Sequence, residues 1–223
     1  MRKRLRREPQ PILLIDEIVH LREADPQAFA WLRAIGQGEV GVLLAGSAWD
    51  WTRVVDRANE TPGSSFGNDV TPIDLGPIGE HDARTFLVSG GVGDQAATWI
   101  VDRCGGWPFY LQVLGHAVVQ AVHAGQRQAR VDKAAVDGLY VKRLLVDRDN
   151  VLRSRWLGEL PPEVRAVLIK TEDGQPPLYR ELSRVERQAV REVGFCETTG
   201  EWLDDRPFYD WISRNLDDLR GGA

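Results

Sequence analysis

Pro11-Ile12-Leu13-Leu14-Ile15-Asp16-Glu17 is a short all-apolar run, rich in β-branched residues, that ends in two acids. An apolar run without polar alternation predicts a strand buried on both faces of a parallel sheet, with its acids at the C-terminal end where such sheets bind ligands. Outward from it, Asp25-Pro26 predicts a helix N-cap followed by proline at the first helical position, and Phe29, Leu32 and Ile35 recur at helical spacing up to Gly36. Residues 40–45 predict a second strand closed by Gly46-Ser47, and residues 49–57 a short helix. Residues 59–69 are rich in Gly, Ser, Pro and Asn and predict a loop, with a third strand at residues 71–75. The β-α-β order predicts a parallel sheet.

From Glu80 the pattern turns helical: residues 80–88, residues 94–104 closed by Gly105-Gly106, and residues 108–124 closed by Gly125. One or two further helices are expected over residues 131–160, and Leu160-Pro161-Pro162 reads as a hinge. Beyond it the sequence predicts a helix over 163–171, a short helix near 178–182, and a third helix opened by the capping box Ser183-x-x-Glu186. A hairpin follows, with residues 195–198 and 201–203 flanking Thr199-Gly200. Three helices and a β wing in this order resemble a winged helix.

The chain has 223 residues, 43% hydrophobic and 27% charged, the balance of a soluble chain with a packed core. A net charge of -5 argues against a surface coated in basic groups for non-specific nucleic-acid binding. Cys104 and Cys196 are far apart without CxxC spacing, which points to neither a disulfide framework nor a zinc site and fits a reducing cytoplasm. No apolar run approaches the ~18 residues of a membrane span, and the basic start MRKRLRREPQ has no apolar signal-peptide core behind it. A cytoplasmic protein without a membrane partner is expected.

An apolar strand ending in Asp-Glu has the Walker B form: the aspartate holds magnesium through water and the glutamate polarises the water that attacks the γ-phosphate. Asp16 and Glu17 fit it. One strand later, Ser47 stands where a sensor residue would meet the γ-phosphate; a serine capping the helix at Trp49 is the alternative. The stretch Arg103-Cys104-Gly105-Gly106-Trp107-Pro108-Phe109-Tyr110-Leu111, with Ile73-Asp74-Leu75-Gly76-Pro77-Ile78 before it, resembles the lid of AAA+/STAND-type P-loop ATPases, the archaeal-type ATPases among them. The resemblance runs across nearly the whole chain in the family's order. It implies an α/β fold with an incomplete P-loop NTPase sheet at residues 1–78, a helical lid at 79–160 and a winged-helix domain at 161–223. It also implies ATP and Mg²⁺ as cofactors, with Asp16 at the metal, Glu17 and Ser47 in catalysis, and Gly106, Trp107 and Pro108 against the adenine.

The sequence departs from that family in two places. No Gly-x-x-x-x-Gly-Lys-Ser/Thr is present: the lysines are Lys3, Lys133, Lys142 and Lys170, and none follows a glycine loop. Only 15 residues precede Asp16, whereas a strand, phosphate loop and helix need roughly 30 as part of a β-α-β unit. The loop at 61–69 resembles one that ends in Gly-Arg in the family, and Asn68 stands in place of the arginine. The expectation is an incomplete gene product, a second polypeptide or a second copy completing the site, or a sheet closed into a non-ATPase scaffold. In each case the chain alone is expected to be inactive.

A different function is carried by Arg184, Arg187 and Arg191, which at helical spacing form a stripe suited to DNA phosphates, with Val185, Ala189 and Val193 expected on the opposite, inward side. The alternative is a solvated face interleaved with Glu186 and Glu192, in a segment, 161–223, that holds 13 acids against 9 bases. A nucleotide-independent module binding DNA or a partner protein is therefore the second expectation. His116 and His123 have no metal-ligand companions in the sequence, and the tryptophans are expected in the core.

Overall fold

A computed structural model describes residues 11–23, 26–38, 40–60, 66–73, 75–123, 131–172, 175–196 and 200–221. The basic start, the Asp25 cap, residues 61–65 of the glycine-rich loop and residues 197–199 of the expected hairpin lie outside the described residues. The chain divides into two compact units, Met1–Ile73 with Glu192–Gly194, and Asp74–Arg191 with Phe195–Ala223. At a coarse level the architecture is α/β: mostly helical, with a small parallel sheet.

In the first unit, β1 (Ile12–Ile15) and β2 (Gly41–Leu44) pair in parallel, with Ile12 opposite Gly41 and Ile15 opposite Leu44. Helix α1 (Pro26–Gly36) connects them, and α2 (Ala48–Asn59) follows. Two expectations for the sheet fail. Residues 71–73 and Leu75 form no strand, and Ile73 and Leu75 are 74% and 89% exposed. Strand propensity is realised only against a neighbouring strand, and no neighbour pairs with this segment.

Nor is the sheet buried on both faces. Leu13, Ile15 and Leu44 pack on a core of Phe29, Leu32, Val54, Ala58 and Phe66, while Ile12, Leu14 and Leu43 are exposed. The helices of this unit cover one face only. Phe66, in a 3-10 turn (Phe66–Asp69) inside the expected loop, meets Phe29 edge-on at 5.2 Å and belongs to that core.

The second unit contains α3 (Glu80–Ser89), α4 (Asp94–Cys104), α5 (Pro108–His123), α6 (Lys133–Leu139), α7 (Asp149–Ser154), α8 (Pro162–Leu168), α9 (Arg184–Glu192), α10 (Arg206–Arg214) and α11 (Leu216–Gly221). Buried Tyr110, Leu111, Leu114, Ala117 and Val118 form the inward stripe of α5. Asp132 caps α6, accepting from the Ala135 amide at 2.8 Å. Wide π-type turns at Tyr140–Val146 and Arg155–Glu159 interrupt the helical run and bury Tyr140, Leu144, Leu145 and Trp156.

Residues of the expected lid and of the C-terminal segment share one core. Phe208 and Trp211 stack at 5.8 Å, and Trp156 lies 6.5 and 6.4 Å from their centroids. Trp156 and Trp211 are thus core, as expected, whereas Trp31 is exposed. Cys104 and Cys196 are both buried and not joined in a disulfide.

The C-terminal helices are short: α8, a single turn at Tyr179–Glu181, and α9. One antiparallel bridge joins Cys196 to Trp202, and α10 follows. The capping box forms as read, the Ser183 amide donating to Glu186 Oε2 at 2.7 Å and the Glu186 amide to Ser183 Oγ at 3.2 Å. Lys170 Nζ also reaches Glu186 at 2.7 Å. These donors, Lys170 first, hold the Glu186 carboxyl down at about 2, below its ordinary 4.5.

A carboxyl depressed in the folded state contributes stability that is present above its unfolded pKa and lost as the pH falls through the folded one. Wild type is therefore expected to lose more stability than Glu186→Gln between pH values of about 4.5 and 2. Urea midpoints of the two proteins across that window check this; equal losses would show that the carboxylate is not held by these partners.

Candidate functional site

The parallel pairing of β1 and β2 brings Asp16-Glu17 and Gly46-Ser47 to the same end of the sheet, on neighbouring strands. The ladder continues on both sides of the acids: the Ala45 amide donates to the Ile15 carbonyl at 2.8 Å, and the Ile18 amide to the Ala45 carbonyl at 3.1 Å. Asp16 and Glu17 therefore bulge out between two fixed points, and both are exposed. Accommodating the bulge puts Glu17 at φ 53°, the left-handed region, which a side chain with a Cβ adopts at a cost of about 1–2 kcal/mol. Asp16 Oδ1 accepts from the Glu17 amide at 2.9 Å; Oδ2 has no hydrogen bond among the described residues.

Gly46 is required where it stands, since a Cβ there would overlap the side chain of buried Ile18. Ser47 is the N-cap of α2: its Oγ accepts from the Asp50 amide at 3.0 Å and donates to Asp50 Oδ2 at 2.7 Å. The capping alternative raised by the sequence is thus realised, and a contact from Ser47 to a phosphate would need the hydroxyl to leave Asp50.

Gly106, Trp107 and Pro108 belong to the other unit. Gly105 has φ +60° and ends α4; Gly106 is buried, with its carbonyl accepting from the Ile78 amide at 2.9 Å. A Cβ on Gly106 would run into the Ile78 backbone. Trp107 donates its indole N–H to the Asp204 carbonyl at 2.8 Å, and Arg206 donates to the Asp102 carbonyl at 3.0 Å. Pro108 is exposed and opens α5. The turn's glycines thus have a packing reason of their own: the chain passes close to Ile78 and to Asp204.

On α9, Arg184 and Arg191 are exposed, but Arg187 is half-buried. The guanidinium groups of Arg187 and Arg191 lie over the Tyr179 ring, at 5.9 and 5.3 Å from its centroid. The inward side differs from the expected one: Val185 is 69% exposed and Val190 fully buried. At 3.6 residues per turn Val185 and Val190 stand about 140° apart around the helix, so the face that buries Val190 leaves Val185 in solvent.

A cleft of about 310 Å³ in the second unit was not singled out from the sequence. It is lined by Arg103 of α4, Asp137 of α6, Tyr140, Val141 and Leu145 of the following π turn, and Asp210 and Arg214 of α10. Its residues come from three separate stretches of chain, at 103, 137–145 and 210–214, so no local spacing marks it. Among the described residues no group of three or more His, Cys, Asp or Glu could hold a metal ion, and no helix is long and apolar enough to cross a membrane. No protein-family model, curated protein or solved structure matches the chain.

Proposed function

We propose that Asp16, Glu17 and Ser47 are the magnesium-holding, water-orienting and phosphate-sensing residues of an AAA+/STAND-type nucleotide switch, whose phosphate-binding loop comes from residues outside this sequence, such as those of a partner chain. The observation that carries the reading is the placement of all three residues at one end of adjacent parallel strands, with the acids on a backbone bulge that is strained at Glu17. Backbone strain persists where surrounding contacts enforce it and concentrates at functional sites.

Magnesium takes hard oxygen ligands, keeps several waters and is held through one or two carboxylates. The uncommitted Oδ2 of exposed Asp16 suits it. Bound ATP supplies the γ-phosphoryl group; Glu17 would orient the attacking water, and Ser47 would exchange its Asp50 partner for a phosphate oxygen. With no loop to cradle the phosphates, the chain alone hydrolyses ATP negligibly.

The test is paramagnetic broadening by Mn²⁺·ATP in amide NMR spectra, which reports weak binding. Signals of Glu17, Ile18, Gly46 and Ser47 are expected to broaden, and Asp16→Ala to abolish the effect. No broadening, or broadening indifferent to Asp16→Ala, would sink the reading. Glu17→Gly is expected to remove the carboxylate yet stabilise the first unit by about 1 kcal/mol, because glycine adopts left-handed backbone without the Cβ penalty.

A second reading, contact with DNA through Arg184, Arg187 and Arg191, draws on one observation. Glu186, one of the two acids interleaved with the stripe, is neutralised by Lys170 and engaged in the cap. Duplex binding that weakens steeply with salt and in Arg184→Ala would favour it.

A further inference from the structure

We infer that the cleft between α4, α6, the Tyr140–Val146 turn and α10 is a binding site for a small ampholyte with an apolar body, such as a free aliphatic α-amino acid. The argument starts from charge. Two guanidinium groups, Arg103 and Arg214, and two carboxylates, Asp137 and Asp210, line the same opening. A simple anion entering it would be opposed by both acids and a simple cation by both arginines. A ligand carrying one charge of each sign meets complementary groups on both sides.

The polar groups are held before any ligand arrives. Arg103 Nε donates to Asp137 Oδ1 at 2.7 Å and its guanidinium lies 5.7 Å from the centre of the Tyr140 ring. Its terminal nitrogens make no hydrogen bond among the described residues. Tyr140 donates its hydroxyl to Asp210 Oδ2 at 2.5 Å, and burial pushes the phenol pKa up, so the phenol keeps the proton that it donates. Arg214, one helical turn beyond Asp210, forms no ion pair among the described residues.

A guanidinium matches a carboxylate through two parallel hydrogen bonds. Arg214 and the outer edge of Arg103 are thus the receptor for the ligand's carboxylate, and Asp210 for its ammonium. Val141 and Leu145 supply the apolar wall, and a volume of about 310 Å³ lies at the small end of ligand sites, which suits a molecule of amino-acid size. All of these residues lie in the second unit, so the inference stands apart from the nucleotide reading.

Calorimetric titration of the full chain with L-leucine, 4-methylpentanoate and isoamylamine tests it, the last two being leucine without its ammonium and without its carboxylate. Saturable leucine binding is expected, with each single-charge analogue weaker by about tenfold or more, the loss of one charged hydrogen bond. Arg214→Gln, at an exposed position, is expected to keep the wild-type circular dichroism spectrum and to weaken leucine by a similar factor. Asp210→Asn should reduce the preference for leucine over 4-methylpentanoate. Absence of saturable leucine binding, an analogue that binds as well as leucine, or binding indifferent to Arg214→Gln would each overturn the inference.

Discussion

Asp205→Ala is expected to destabilise the second unit by about 3–5 kcal/mol, the cost of leaving a buried charge without its partner. Asp205 is 1% exposed and accepts from Arg155 Nη1 at 2.6 Å. The Arg155 guanidinium lies over two rings, 4.5 Å from the Phe208 centroid and 5.2 Å from that of Phe195, and donates to Tyr110 at 3.3 Å. Burial alone would lower its pKa, but Asp205 and Tyr110 outweigh that effect, so the guanidinium stays charged. Alanine at 205 would strand this cation among aromatic side chains.

Urea unfolding followed by the fluorescence of buried Trp156 and Trp211 reads the effect. A loss under about 1 kcal/mol, the range of exposed ion pairs, would show that water reaches the pair. The double change Arg155→Met with Asp205→Leu is expected to recover most of the loss, because replacing both members of a buried pair with apolar side chains is often near neutral. The pair therefore contributes less net stability than its short distance suggests. Its consequence is registry: it ties Arg155, in the second π turn, to the residue that precedes α10.

Gly106→Ala has the next largest expected effect, a loss of about 3 kcal/mol, at the upper end of the range for overpacking. Its cause is steric. The added Cβ would meet the carbonyl, carbon and nitrogen of Ile78, backbone atoms that no rotamer change can clear. The hydrogen bond from the Ile78 amide to the Gly106 carbonyl would be forced apart, and with it the turn that leads into Trp107 and Pro108.

Gly138→Ala is the matched control. Nothing lies within 4 Å of a Cβ at Gly138, inside α6, and the change is expected to stabilise by about 0.5–1 kcal/mol through helix propensity and a restricted unfolded chain. Similar behaviour of the two variants would show that residues 76–78 do not hold their place against the turn.

Some of the candidate site was legible in the sequence. Asp16 and Glu17 were read from an apolar run ending in acids, and Ser47 from its position after the next run, because strand ends are local features marked by a change in residue type. The left-handed backbone at Glu17 was not legible. It arises because the ladder resumes at Ile18, a non-local hydrogen bond to Ala45. The cleft was also hidden, since its arginines and acids meet only after three separate segments pack.

The sequence by itself determined α1 to α5, the capping box of α9 and the parallel strand pair, but neither α10 and α11 nor the two π turns. Periodicity, proline at helix starts, glycine at helix ends and the Ser183-Glu186 box act within a few residues, and the folded chain keeps them. Tertiary structure alone decided which apolar residues are covered. Ile12, Leu14 and Leu43 have the composition of a core and stand exposed, while Phe66, in a stretch of turn residues, is buried against Phe29. Residues 71–73 and Leu75 have strand propensity and find no strand to pair with among the described residues, and Arg155 meets Asp205 across fifty positions. Burial and pairing are properties of contacts between distant segments, and no window along the chain contains both partners.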